Sequence, residues 1–190
     1  VSGASLSGGD PGVCGTKGTA ASGNVPGARY GHSMVFDSAG GNLWVFGGLG
    51  SSCNSTWGRL NDLWKYNIAS GLWTWMGGNA DLVDQNGNYG TQGAGAATNV
   101  PGTRDSAAMA ADSSGKIWIF GGYGRDFSGA EETMNDLWKF DPTTGYFIWM
   151  KGAVTVDQAG TYGTLKTFAD RKSTRLNSSH TDISRMPSSA

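Results

Sequence analysis

Leu43-Trp44-Val45-Phe46-Gly47-Gly48, followed by Asn61-Asp62-Leu63-Trp64-Lys65-Tyr66, returns later in the chain. The second copy is Ile117-Trp118-Ile119-Phe120-Gly121-Gly122, then Asn135-Asp136-Leu137-Trp138-Lys139-Phe140, with each member 74 positions after its counterpart. A fixed period of this size marks a repeat architecture, in which each unit buries its apolar face on a neighbour. The pattern extends upstream. Cys14-Gly15-Thr16-Lys17-Gly18 with Asn24-Val25-Pro26-Gly27 matches Tyr89-Gly90-Thr91-Gln92-Gly93 with Asn99-Val100-Pro101-Gly102 at an offset of 75, and Tyr162-Gly163-Thr164 begins a third copy.

Each unit reads as four short strands bounded by Gly, Asn, Asp or Ser. In the first unit these are 31–36, 42–46, 60–67 and 72–76, the second of them stopped by Gly47-Gly48. In the second unit they are 106–111, 116–120, 134–141 and 146–150. Trp73 and Trp75 alternate with Leu72, Thr74 and Met76, the period-two signature of a strand. The connections Asn67-Ile68-Ala69-Ser70-Gly71 and Asp141-Pro142-Thr143-Thr144-Gly145 are tight turns. Asn or Asp caps nearby amides and Gly supplies the positive φ that closes them. The other connections are long: residues 49–59, and 77 to about 103. In an up-and-down sheet this parity gathers the tight turns at one end and the long links at the other. Loops held on a rigid scaffold commonly carry function, so the long-link end is the candidate functional face.

Composition agrees with an all-β chain. Among 190 residues there are 32 Gly, 8 Trp, 6 Tyr and 7 Phe, and only 15% are charged. The net charge of −1 gives no electrostatic footprint for nucleic acid. No run of 18 apolar residues exists, so no membrane-inserted helix is expected. The chain starts at Val1, which is read as a missing leader or a cut from something longer. Cys14 and Cys53 are the only cysteines, and the sequence leaves a disulfide and two free thiols both open. Without a C-x-x-C pair, and with His32 the only histidine before residue 170, no structural zinc site is expected.

The pattern of a Gly pair, an aromatic in the third strand and an aromatic seven positions later resembles the kelch repeat. It is carried here by Gly47, Gly48, Tyr66 and Trp73, and again by Gly121, Gly122, Phe140 and Phe147. Large bacterial kelch-type proteins and the propeller domain of galactose oxidase share this pattern. The resemblance implies an all-β fold of four-stranded antiparallel kelch blades, here a two-blade fragment of a β-propeller whose remaining blades are missing. The period of 74 departs from a usual kelch period near 50, the excess lying in the long link. Arg29 with Asp62, and Arg104 with Asp136, recur at matching positions and are expected to form ion pairs pinning neighbouring strands. Trp64 and Trp138 are expected in the packing between blades.

Residues that do not recur are the binding candidates. These are Trp57 and Arg59 in the first long link, and Tyr123, Arg125, Asp126 and Phe127 in its second-unit counterpart. Aromatic faces with flanking hydrogen-bonding groups suit a protein or a glycan. Asp84-Gln85-Asn86-Gly87-Asn88 starts like a calcium loop but lacks Gly at the sixth place and Glu at the twelfth, so a turn is expected. The copper site of galactose oxidase maps onto no residues here. No catalytic set, metal or cofactor is expected.

After Ala169, Gly disappears. Asp170-Arg171-Lys172-Ser173-Thr174-Arg175-Leu176-Asn177-Ser178-Ser179-His180 and Ser184-Arg185-Met186-Pro187-Ser188-Ser189-Ala190 resemble a translated DNA-sequencing adapter. This tail is set aside from fold reasoning. The expected layout is therefore 1–28 as the end of a preceding repeat, 29–78 as blade 1, 79–103 as an inter-blade loop, 104–152 as blade 2, 153–169 as the start of another link, and 170–190 as a non-native tail. The expected role is a non-catalytic binding or scaffold module, extracellular or on a bacterial cell surface. Two alternatives are a scaffold fragment of a galactose-oxidase-like copper enzyme and a structural surface repeat without a ligand.

Overall fold

A computed structural model describes residues 9–163. The adapter-like stretch lies outside the described residues. Eleven strands, β1 Arg29–Tyr30, β2 Ser33–Asp37, β3 Asn42–Ser51, β4 Trp57–Asn67, β5 Leu72–Gly77, β6 Gly95–Ala96, β7 Arg104–Asp105, β8 Ala108–Ala111, β9 Ile117–Arg125, β10 Glu131–Asp141 and β11 Tyr146–Lys151, form two antiparallel sheets. The first runs β1/β2-β3-β4-β5 and the second β7/β8-β9-β10-β11, with β6 added at its outer edge. The short turns close as their sequence dictates. The Asn67 and Asp141 side chains accept from Ser70 N (2.9 Å) and Thr143 N (2.9 Å), and Gly71 and Gly145 adopt φ of 70° and 73°.

The glycine pairs do not stop their strands, contrary to expectation. Gly47 and Gly48 (φ 62° and 97°) stand inside β3 opposite a bulge in β4: Asn61 and Asp62 lie against Gly47 alone, and the ladder resumes with Gly48 opposite Leu60 and Ser51 opposite Trp57. Gly121 and Gly122 do the same in β9, opposite Asn135 and Asp136 of β10. A bulge inserts an extra residue and bends its strand, here the partner strand, and the positive φ on the facing strand favours glycine. A Cβ on Gly47 would also sit 2.5 Å from the Arg104 carbonyl oxygen of the second sheet. The connection from β3 to β4 shrinks to residues 52–56, so Trp57, Arg59, Tyr123 and Arg125 lie in strands rather than in links.

The long links are ordered arms rather than open loops. Val13 pairs with Val25, and Asn88 with Val100, making two equivalent hairpins. Each arm reaches the outermost strand of the sheet that follows it: Ala21 bridges Trp73, and Ala96 pairs with Phe147. The Asn24 amide donates to the carbonyls of Thr19 (2.9 Å) and Trp73 (3.1 Å), and the Asn99 amide to those of Ala94 (2.9 Å) and Phe147 (3.2 Å). This arm accounts for the long period. Cys14 and Cys53 form a disulfide that ties the first arm to the turn after β3.

The core lies between the sheets. Trp44, Phe46 and Leu63 of the first meet Ile117, Ile119, Trp138, Phe140 and Phe147 of the second, and Tyr89 from the second arm joins them. Ring centroids of Trp44 and Phe140 are 5.9 Å apart, and those of Phe46 and Phe147 are 6.4 Å apart. Full burial of such side chains stabilises by about 1.5–3 kcal/mol each.

Candidate functional site

Two buried clamps hold the frame. Arg29 sits on β1 and donates to both Asp62 oxygens (2.6 and 2.7 Å) and to the Gly47 carbonyl (3.1 Å). Arg104 on β7 repeats this with Asp136 (2.5 and 2.8 Å) and the Gly121 carbonyl (3.0 Å). Trp64 Nε1 donates to Asp62 (2.7 Å) and Trp138 Nε1 to Asp136 (2.8 Å). A buried carboxylate needs such a full shell of donors, because leaving one unpaired is costly. Tyr66 and Phe140 lie beyond the tryptophans, each against the aromatic of the next strand: Tyr66–Trp73 at 5.0 Å and Phe140–Phe147 at 4.9 Å.

The second clamp carries one more donor. Tyr89 hydroxyl donates to Asp136 Oδ2 at 2.7 Å, and its ring packs on Trp138 at 4.8 Å. Burial alone would raise the Asp136 carboxyl. The Arg104 charge and the hydrogen bonds from Arg104, Tyr89 and Trp138 outweigh it and hold the group below the ordinary 3.8. Burial pushes the Tyr89 phenol up from its ordinary 10.0, and the Asp136 charge adds to that against the pull of Arg104. Cys14 stands where the repeat places Tyr89, so the first clamp has no tyrosine and the first arm is held by the disulfide instead.

The clamps are frame, and the surface that differs lies at the strand ends on the long-link side. In the first sheet Tyr30 and Trp57 form an exposed aromatic pair (60% and 49% exposed, centroids 6.4 Å apart). The same repeat positions in the second sheet are Asp105 and Glu131. Arg59 reaches across from the first sheet and pairs with both, its Nε 2.8 Å from Asp105 Oδ1. Its guanidinium also lies over the Tyr123 ring, 4.6 Å from the centroid, a cation–π contact. Arg125 Nε is 3.9 Å from Glu131 Oε2 and has no hydrogen-bond partner among the described residues.

Of the six residues singled out in the sequence, the structure brings Arg59, Tyr123 and Arg125 together, with Trp57 beside them on β4. Phe127 sits in the turn after β9, 60% exposed. Asp126 does not face solvent. It is 1% exposed, and its carboxylate accepts from Ser128 N (2.7 Å), Ala130 N (3.0 Å) and Val156 N (3.0 Å). Ser52 does the same work in the first sheet, accepting from Asn54 N and Thr56 N. Sequence reasoning missed Tyr30, Asp105 and Glu131. The signal was present: a repeat column that holds an aromatic in one copy and a carboxylate in the other.

Asp84 ties the link to β4 instead of forming a local turn: its Oδ1 accepts from Arg59 N at 3.0 Å and its own N donates to the Arg59 carbonyl at 2.9 Å. His32 lies between β1 and β2, where burial and the Arg29 charge lower its pKa, so it is neutral at pH 7.

Two antiparallel sheets of five and six strands packed side by side, each with the same clamp and glycine pair, find their match in one family model. The model of the KLHDC2/KLHL20/DRC7 Kelch-repeats domain matches residues 16–167. The chain belongs to the kelch-repeat family. Its two sheets are kelch blades, an arc of a β-propeller. Comparison with curated proteins gives no match. Among solved structures the kelch chain is similar to that of YjhT, with 19% identity and a TM-score of 0.45. The match covers 67% of this chain and 38% of that one, so the chain spans well under half the length of that structure.

Proposed function

We propose that this kelch domain is a non-catalytic scaffold whose partner is a protein that docks on the long-link end, over Tyr30, Trp57, Arg59, Tyr123 and Phe127. Kelch repeats commonly mediate protein interactions. The observation that carries the reading is the exposed Tyr30–Trp57 pair beside Arg59, at an end where the blades differ. Trp, Tyr and Arg are the residues that dominate binding energy at protein interfaces. The disulfide supports a location outside the cell or on its surface, where thiols stay oxidised.

The test is to select binders from a displayed peptide library and from a glycan array, then measure their affinity for variants. Trp57→Ala should weaken a selected peptide by about thirtyfold, the loss of a hot spot of about 2 kcal/mol. Phe36→Ala, on a different surface, should not. Peptides bound equally well by Trp57→Ala would overturn the reading, and hits confined to the glycan array would replace the protein partner with a sugar.

A further inference from the structure

Trp44 and Trp118 occupy the same repeat position, just after the β2–β3 and β8–β9 turns, but their indole N–H groups are satisfied differently. Lys65 lies over the Trp44 ring at 6.0 Å and Lys139 over the Trp118 ring at 5.6 Å, so the two indoles stand alike. In blade 2 the Trp118 Nε1 donates to Asp112 Oδ2 (2.9 Å), at the head of the preceding turn. In blade 1 that turn is one residue longer, 37–42 against 112–116. Asp37 stands where the repeat places Asp112, and its Oδ1 accepts instead from Ala39 N (3.0 Å) and Gly40 N (3.1 Å). Trp44 is 1% exposed, and its Nε1 has no hydrogen-bond partner among the described residues. Buried donors are rarely left in that state, because the lost solvation is not repaid.

Trp44 lines a cleft of about 280 Å³ between the blades at the tight-turn end. Blade 1 supplies Asp37, Trp44 and Lys65, and blade 2 supplies Ser114, Lys116 and Thr143. Both walls belong to blades of this chain. Lys116 is tied to Asp141 at 2.5 Å, whereas Lys65 forms no ion pair among the described residues. The cleft therefore presents two donors, the Trp44 N–H and the Lys65 ammonium, and one anionic acceptor, Asp37 Oδ2. Its volume is at the small end for a ligand site.

We infer that this cleft binds a small zwitterion of the free α-amino acid class. The ligand carboxylate accepts from Trp44 Nε1 and from the Lys65 ammonium, and the ligand ammonium donates to Asp37 Oδ2. Hydrogen bonds of this kind, with one partner ionised, are the stronger ones. A plain anion would meet the like charge of Asp37, and a plain cation would meet Lys65 and leave the Trp44 donor unpaired. The cleft lies at the opposite end from the protein-docking surface, and the inference does not rest on that reading.

The test follows the Trp44 indole N–H in proton–nitrogen correlation spectra of the whole chain, its peak assigned by its absence in Trp44→Phe. The probes are the common free L-amino acids, with acetate and methylamine as the two half-ligands. At least one amino acid should move the peak saturably, with acetate and methylamine binding about tenfold more weakly or worse. Lys65→Met keeps the stem over Trp44 and removes the ammonium, and Asp37→Asn keeps the turn cap and removes the charge. Each should weaken binding by about tenfold or more, the loss of one hydrogen bond to a charged group. Lys139→Met, the same change on blade 2, should leave binding unaltered. Near-ultraviolet circular dichroism checks that each variant is folded, and the half-ligand comparison needs only the wild type. A peak that no amino acid moves would overturn the inference and leave Trp44 Nε1 to an ordered water only. Acetate bound as tightly as the amino acids would overturn it in favour of a plain anion site. Lys65→Met and Asp37→Asn that bind as the wild type does would overturn it as well.

Discussion

Blade 1 and blade 2 share a frame and differ in how each holds its arm. In blade 2 the arm is locked by Tyr89, which packs on Trp138 and donates to Asp136. In blade 1 the equivalent residue is Cys14, and a covalent bond to Cys53 does the holding. One position of the repeat thus solves the same problem by burial and hydrogen bonding in one copy and by a cross-link in the other. The second contrast lies at the long-link end, where Tyr30 and Trp57 face solvent while Asp105 and Glu131 share an ion pair with Arg59. Positions that recur unchanged hold the fold, and positions that recur in place but change in chemistry are free to specialise.

The largest expected effect is at the clamps. Asp136→Ala leaves Arg104, whose side chain is fully buried, without its partner and should cost about 3–5 kcal/mol in chemical denaturation. Asp62→Ala should cost less, because Arg29 is slightly exposed and no tyrosine depends on Asp62. Equal losses would erase the distinction between the two clamps. Next comes the cross-link. Cys14 and Cys53 are 39 residues apart, and replacing both by Ser should cost roughly 2–4 kcal/mol, with reductant giving the same shift in the wild type and none in the double variant.

Tyr89→Phe should cost about 1.5–3 kcal/mol, the range for a hydrogen bond to a charged group. It should also change the pH profile. The folded pKa of Asp136 is depressed, so its contribution is present above the ordinary 3.8 and is lost as pH falls through the folded value. The folded pKa of Tyr89 is raised, so its contribution is full below 10.0 and declines as pH climbs above that. Urea midpoints across pH should therefore fall at the alkaline end in the wild type and fall less in Tyr89→Phe. Parallel alkaline limbs would show that Tyr89 does not lock the second arm.

The recurring features were legible because the same local physics had to be met twice. Turns such as 67–71 and 141–145, the Arg–Asp pairs and the tryptophans all follow from period and residue type. The glycine pairs misled because glycine commonly ends strands, and only the partner strand shows that the ladder runs on past Gly47-Gly48 and Gly121-Gly122. The arms were hidden by their Gly, Ser and Ala content. Their order comes from backbone bonds and from the Asn24 and Asn99 amides, which carry no apolar periodicity. At the candidate site, attention to links missed Tyr30, Asp105 and Glu131, which sit in strands. The disulfide was beyond reach, since two cysteines without a second copy set no spacing.

The central claim is that the frame holds the fold while the long-link end binds. Trp57→Ala tests it most directly, with affinity for a selected peptide and urea stability measured on the same protein. The account predicts an affinity loss of about thirtyfold with stability changed by no more than about 0.5 kcal/mol. Unchanged affinity, or a stability loss comparable to that of Asp62→Ala, would contradict it by making Trp57 part of the frame.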